Sequence, residues 1–306
     1  MQILEGAETL PSTGVPGHIY VTQTGVTYAV LPDTTLEKFA LSNMSAFGRD
    51  FSELADVDEA QQALGVTPAW SPANLTRHID VSFSGSALGS ISSVANTGSF
   101  GGTMAGTGGS RPTGVDFLTY RAASFDGVDD GLTSSVQWNL GTRYAFFVVF
   151  SHDATPPTQQ TMLSSSLITS QIGYTIGSRN TTGDLPGPAH LNTVWRAGAG
   201  ATVNYGAIDF LYGSYDGTNF HTKFNGGADV TVAQTSDPSN SAWFGILGRR
   251  GDATQFFKGK ILRAVGWDAH QADSDVSRLE GWAAWSFNRV NVLPSNHPYK
   301  FIRPLT

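Results

Sequence analysis

The chain has 306 residues, a net charge of −7, only 14% charged residues, 35 glycines and no cysteine. That excludes disulfide frameworks and thiolate chemistry, zinc sites built on thiolates, and a nucleic-acid surface, which needs clustered Lys and Arg. The length suffices for one large domain and a smaller one, and the Gly-, Ser-, Thr- and Asn-rich remainder favours strands and turns over helices.

Residues 1–69 read as a small mixed α/β module. The start, MQILEGAETLPSTG, has no basic residues followed by an apolar run and so does not read as a signal peptide. His18–Val21 and Val26–Val30 are β-rich around Gly25, which predicts a hairpin. Asp56 can cap a short helix over Val57–Leu64, stopped by Gly65. WSPANL, Trp70 to Leu75, reads as the hinge into a second region, residues 70–306.

The second region reads as all-β to about residue 268. Ser99 to Gly114, SFGGTMAGTGGSRPTG, reads as loop, either a surface excursion or a binding loop. YAFFVVF, Tyr144 to Phe150, is a continuous apolar run suited to a strand buried on both faces. Asp216-Gly217 and Asn225-Gly226 mark tight turns around NFHTKF, which predicts a β-meander. WFGILGRR and FFKGKILRAVGW read as two more strands, with Trp243 and Trp267 in the core. Short strands with glycine-rich turns indicate a two-sheet sandwich or jelly roll.

From Asp273 the period becomes helical, to about residue 290. Val276, Leu279, Ala283 and Phe287 share a face, and Asp273 or Ser274 is the expected cap. Residues 291–306 then form a strap. Pro294, Pro298 and Pro304 favour extended backbone, with His297, Tyr299 and Phe301 expected to pack it onto the domain.

Glycosidases need two suitably spaced carboxylic acids, yet no glutamate lies between Glu59 and Glu280. No Ser-His-Asp or metalloprotease motif is evident, which reads as a non-enzymatic protein. Asp126, Asp129 and Asp130 could bind calcium, or could simply cap their own turn; the expectation is no cofactor. For a sugar, the stretch between Arg179 and Arg196 offers Asn180, Asp184, Trp195 and Arg196 on a rim. Trp195 is either a stacking platform or a core residue.

The ending LEGWAAWSFNRVNVLPSNHPYKFIRP resembles that of concanavalin A-like, laminin-G-like lectin domains in bacteriophage virion proteins. Arg111-Pro112 before the Phe125 to Asp130 turn, the Asp216 to Gly226 hairpin, Gly248-Arg249 and the Phe257 to Ile261 strand extend the likeness over about residues 70–304. DEAQQALG, Asp58 to Gly65, resembles tail-fibre connectors. The resemblance implies a virion protein assembled in the host cytoplasm and exposed on the particle. Its first module would dock to other virion proteins and its β-sandwich would adhere to a host-surface glycan or protein. It further implies a homotrimeric tail-fibre or receptor-binding component; the charge pattern adds the expectation of no nucleic acid bound, and the lack of a long apolar stretch that of no membrane insertion. A head or collar decoration protein is the alternative, and a polysaccharide depolymerase the more distant one.

Overall fold

The computed structural model describes residues 70–153, 160–165, 173–177, 203–233, 243–251, 253–301 and 303–304, together with strand backbone at 3–7, 19–22, 27–30, 36–39, 166, 178–179, 185–190 and 194–195. The chain divides into two compact units, Met1–Pro68 and Ala69–Thr306. The expected helix at Val57–Leu64 lies outside the described residues.

In the first unit, β1 (Ile3–Ala7), β2 (Ile19–Thr22), β3 (Thr27–Val30) and β4 (Leu36–Phe39) form a sheet in that order. The predicted hairpin is the antiparallel β2–β3 pair, while β1 joins β2 in parallel.

The second unit is a sandwich. Its strands begin with β5 (Ile79–Ser82), β6 (Gly89–Ser90), β7 (Ser93–Ala95), β8 (Thr103–Ala105), β9 (Thr113–Phe117) and β10 (Tyr120–Asp126). They continue with β11 (Leu132–Trp138), β12 (Tyr144–His152), β13 (Gln160–Ser166), β14 (Gly173–Arg179), β15 (Leu185–His190) and β16 (Val194–Trp195). The last are β17 (Asp209–Tyr215), β18 (Asn219–Phe224), β19 (Val230–Ala233), β20 (Trp243–Leu247) and β21 (Lys258–Trp267). One sheet runs β19-β18-β17-β12-β21-β10-β9-β6, with β5 also on β21; the other runs β16-β15-β14-β13-β20-β11-β8-β7. Every pairing within the two sheets is antiparallel.

The apolar run in β12 explains the layering. Every one of its residues is buried. Tyr144, Phe146, Val148 and Phe150 enter the core between the sheets, whereas Ala145, Phe147 and Val149 enter a second core. That second core lies under the helix α1 (Asp273–Ser286), which contributes Val276, Leu279, Trp282 and Ala283. The strand period of two thus serves two layers at once. The second face needs a lid because an exposed Phe-Val stripe would leave a large apolar patch in water. In β21 the register skips Leu262, pairing Val149 with Arg263 and Phe150 with Ile261. This bulge turns Leu262 and Val265 toward the helix and Ile261 and Ala264 toward the sandwich core.

Trp243 and Trp267 are core residues, and the meander β17–β18–β19 forms as expected. Its turn residues Asn225 and Gly226 both have positive φ, 51° and 74°, as an Asn-Gly hairpin turn requires.

Several expectations are corrected. Residues 99–114 are not all loop: Thr103–Ala105 forms β8 and buries Met104. The helix ends at Ser286 and has no side-chain cap; Ala272 occupies the N-cap, and Asp273 and Asp275 supply negative charge to the first turn. The strap is a chain of turns: Val290–Val292 is a 3-10 turn, His297 N–H donates to Pro294 O, and Lys300 N–H to His297 O. Leu293 and His297 are buried, but Phe301 is 78% exposed and anchors nothing. The Lys300 ammonium holds the turns by donating to the carbonyls of Val290, Asn291 and Leu293.

Candidate functional site

With α1 and the terminal turns covering one sheet, binding surface falls to the outer face of the other sheet and to the rims. The register defines that outer face. Tyr174, Ile176 and Leu163 enter the core, so the alternate row Thr133–Ile246–Ser164–Thr175 lies on the outer side of this sheet. Its middle is not free: Ser164 Oγ donates to Arg249 O (3.0 Å), and Thr161 Oγ1 to Gln255 Oε1 (3.2 Å). Thr161, Ser164 and Thr175 are all buried.

The backbone of residue 195 pairs with that of Ala189, on the strand at the edge of this sheet. The stretch expected to be a rim between strands instead contains β15 and β16. Two prolines are tolerated in β15, Pro186 and Pro188, because β16 pairs only with Ala189 and His190. Asn180, Asp184 and Arg196 lie outside the described residues.

The structure brings the three aspartates of the Asp126 to Asp130 turn together. The ligand atoms of Asp126, Asp129 and Asp130 all lie within 4.8 Å of one another. Asp129 Oδ2 accepts from Ser110 Oγ (3.2 Å), and the other two are engaged by backbone. Asp126 Oδ1 accepts the N–H groups of Val128 (2.7 Å) and Asp129 (3.3 Å), and Asp130 Oδ2 accepts that of Asp126 (2.8 Å). Burial raises the Asp130 pKa, helped by the neighbouring carboxylates.

Sequence spacing did not reveal three further clusters. The aspartates that look scattered along the meander partly converge: His221 Nδ1 meets Asp229 Oδ2 at 2.6 Å and its Nε2 meets Asp216 Oδ2 at 3.1 Å. The His270 ring lies 4.5 Å from the His221 ring, and its Nδ1 is 2.7 Å from Ser214 Oγ. Burial lowers the His221 pKa, but the two carboxylates outweigh it and the net shift is upward. Burial, then the His221 charge, lowers that of His270. The third aspartate, Asp209, is separate: buried, it accepts hydrogen bonds from Asn204 and Asn225.

The last glutamate, Glu280, is 1% exposed on α1. It faces Lys223 Nζ at 3.2 Å and His297 Nε2 at 3.3 Å. Among the described residues it therefore acts as a tie between meander, helix and strap, with no second glutamate beside it.

A Ser-His-Asp set, which no sequence motif announced, is present. His78 Nδ1 lies 2.6 Å from Ser99 Oγ, and His78 Nε2 lies 3.0 Å from Asp268 Oδ1. The only advance signal was the glycine-rich stretch that begins at Ser99.

No protein-family model matches the sequence, and no curated protein does. Solved structures are similar to it. Domain 4 of AbnA, a GH43 extracellular arabinanase from Geobacillus stearothermophilus, in complex with arabinotriose, matches 67% of this chain and 98% of its own, at 17% identity and a TM-score of 0.51. The fold is shared. An arabinofuranosidase complexed with arabinofuranosyl-alpha-1,2-xylobiose covers 62% of this chain and 50% of its own, at 10% identity and a TM-score of 0.49. Ruminococcus gnavus IT-sialidase CBM40 bound to alpha2,3 sialyllactose covers 44% and 80%, at 16% identity and a TM-score of 0.37. At these identities the likeness is one of architecture alone: this chain carries a two-sheet β-sandwich, the fold it shares with domain 4 of AbnA.

Proposed function

We propose that the sandwich binds a glycan, and that the protein is an adhesion component which does not cleave glycosidic bonds. The observation that carries this is the sandwich shared with a domain whose structure holds arabinotriose. Against glycosidic cleavage, the one glutamate after residue 59 is buried in α1 between a lysine and a histidine, far from the open paired-acid arrangement that glycoside hydrolysis needs. A sheet edge fits the binding role, because side chains at a rim can meet a sugar without disturbing the core.

The setting on this reading is a bacteriophage virion, as a tail-fibre or receptor-binding component. The motif run over about residues 70–304 supports it, with the first unit as the attachment module and a homotrimer as the assembly. A glycan array probed with the full chain tests the binding. Selective retention of a glycan family, weakened by Trp195→Ala or Asp184→Ala, is the expected result. No retention of any glycan would sink the adhesion reading.

A further inference from the structure

His78, Ser99 and Asp268 come from three distant parts of the chain and meet for structural reasons. Ile79 pairs with Gly266, so the residues just before β5 and just after β21 are neighbours across an antiparallel ladder. That register brings His78 and Asp268 within hydrogen-bond reach. Ser99 arrives on the segment after β7. The buried Asn96 pins it: Asn96 Oδ1 accepts the N–H groups of Asp80 (2.7 Å) and Gly98 (3.0 Å), and Nδ2 donates to Gly101 O (3.0 Å) and His78 O (3.3 Å). Gly98 lets this segment lie directly on the strand, since a Cβ there would overlap the His78 carbonyl. Ser99 N–H then donates to Arg77 O, and Phe100 N–H to His78 O. His78 and Ser99 thus stand on a hydrogen-bonded frame, with the half-exposed Asp268 beside them at the end of β21.

The proton positions follow from chemistry. An ionised carboxylate only accepts, so His78 Nε2 carries the proton toward Asp268. Nδ1 is left with a lone pair facing the Ser99 hydroxyl. Phe100 stacks on the imidazole at 4.7 Å between centroids and 22° between planes, which fixes the ring further. Ser99 is exposed, so a reacting group can reach it from solvent.

We propose that Ser99 is a nucleophile, His78 its general base and Asp268 a positioning residue, in a site that hydrolyses small O-acyl esters such as acetyl esters on an exposed chain. Ser99 Oγ forms a bond to the acyl carbon as its proton passes to His78 Nδ1, and the carbonyl π pair moves onto oxygen. Collapse of that adduct breaks the ester C–O bond, and the leaving alkoxide takes the proton from Nδ1. Water repeats the sequence on the acyl-serine: its proton goes to Nδ1 and then to the departing Ser99 Oγ, and a carboxylic acid is released. No co-reactant beyond water is required. The site adds acyl transfer to an adhesion protein and does not depend on the glycan reading.

The test uses the full chain with a fluorophosphonate probe and p-nitrophenyl acetate. Ser99 should be the serine labelled, located by peptide mass, and ester turnover should fall to background in Ser99→Ala. His78→Gln should reduce labelling and turnover by about 10²-fold or more, the usual contribution of a general base. Asp268→Asn should lower turnover and move the midpoint of the rate–pH profile, which a merely structural contact would not do. Unfolding curves matching wild type for Ser99→Ala confirm that loss of turnover is chemical. Labelling of Ser99 no faster than other serines, or equal labelling in His78→Gln, would overturn the proposal. Glycan binding by Ser99→Ala should be unchanged, so failure of either reading is seen separately.

Discussion

Trp70 donates its backbone N–H to the carbonyl of Pro304 at 3.0 Å, so the entrance to the sandwich and its last turn are side by side. Trp70 is itself buried in the core beneath α1. Among the described residues, both cores are built from residues between Trp70 and Leu293. A chain starting at residue 69 should therefore fold alone, with thermal unfolding of its β signal as cooperative as in the full chain. A non-cooperative melt would show that the sandwich borrows its stability from the first unit.

Removing the residues after Arg289 should destabilise that unit. Leu293 is 2% exposed, and its loss from the core costs about 1.5–3 kcal/mol. His297 leaves with it. For a domain of this size each kcal/mol lowers the midpoint by about 2–4 °C, so a fall of several degrees is expected by calorimetry. An unaltered midpoint would mean that the terminal turns are passengers.

Helix and strap meet at Gly281, where an added Cβ would stand 2.5 Å from Tyr299 Cβ. Gly281→Ala should therefore destabilise by about 1–3 kcal/mol, the usual cost of overpacking, despite the better helix propensity of alanine. Chemical denaturation measures it directly, and a stabilised variant would contradict the packing.

Glu280→Ala should cost up to about 3–5 kcal/mol, because it leaves the partly buried Lys223 ammonium without a counter-charge and the buried His297 without its partner. The double variant Glu280→Ala with Lys223→Met should recover much of that loss. Failure to recover would locate the cost in packing instead of charge.

Stability should depend on pH through the two neighbouring histidines, His221 and His270. The raised pKa of His221 means that its contribution is complete below about 6.5, its unfolded value, and is lost as pH rises through the folded value. His270 has the opposite sign: its contribution is complete above about 6.5 and is lost as pH falls through its lowered folded value. Melting midpoints across pH should thus lose part of the alkaline decline in His221→Gln and part of the acidic decline in His270→Gln. Identical profiles for all three proteins would refute the assignment.

What could be read locally was legible in the sequence. The apolar run of β12, the Asn225-Gly226 turn and the helical face of Val276, Leu279 and Ala283 depend on residues within a few positions of each other. Side-chain period and preference for positive φ act at that range. The sequence by itself therefore determined the sandwich class and the covering helix. Tertiary structure decided which polar residues meet. Asp216 and Asp229 close on His221 only through the β17–β18–β19 register, Glu280 meets Lys223 only because α1 lies over β17, the neighbour of β18, and the 190-residue separation of His78 from Asp268 is bridged only by β5 pairing with β21. The strap went the same way: proline spacing suggested extended backbone, but Lys300 bound to three carbonyls folds it into turns and leaves Phe301 in water. Pair distances of this kind are fixed by strand register and layer packing, which sum over contacts far apart in the chain and leave no mark at any one spacing.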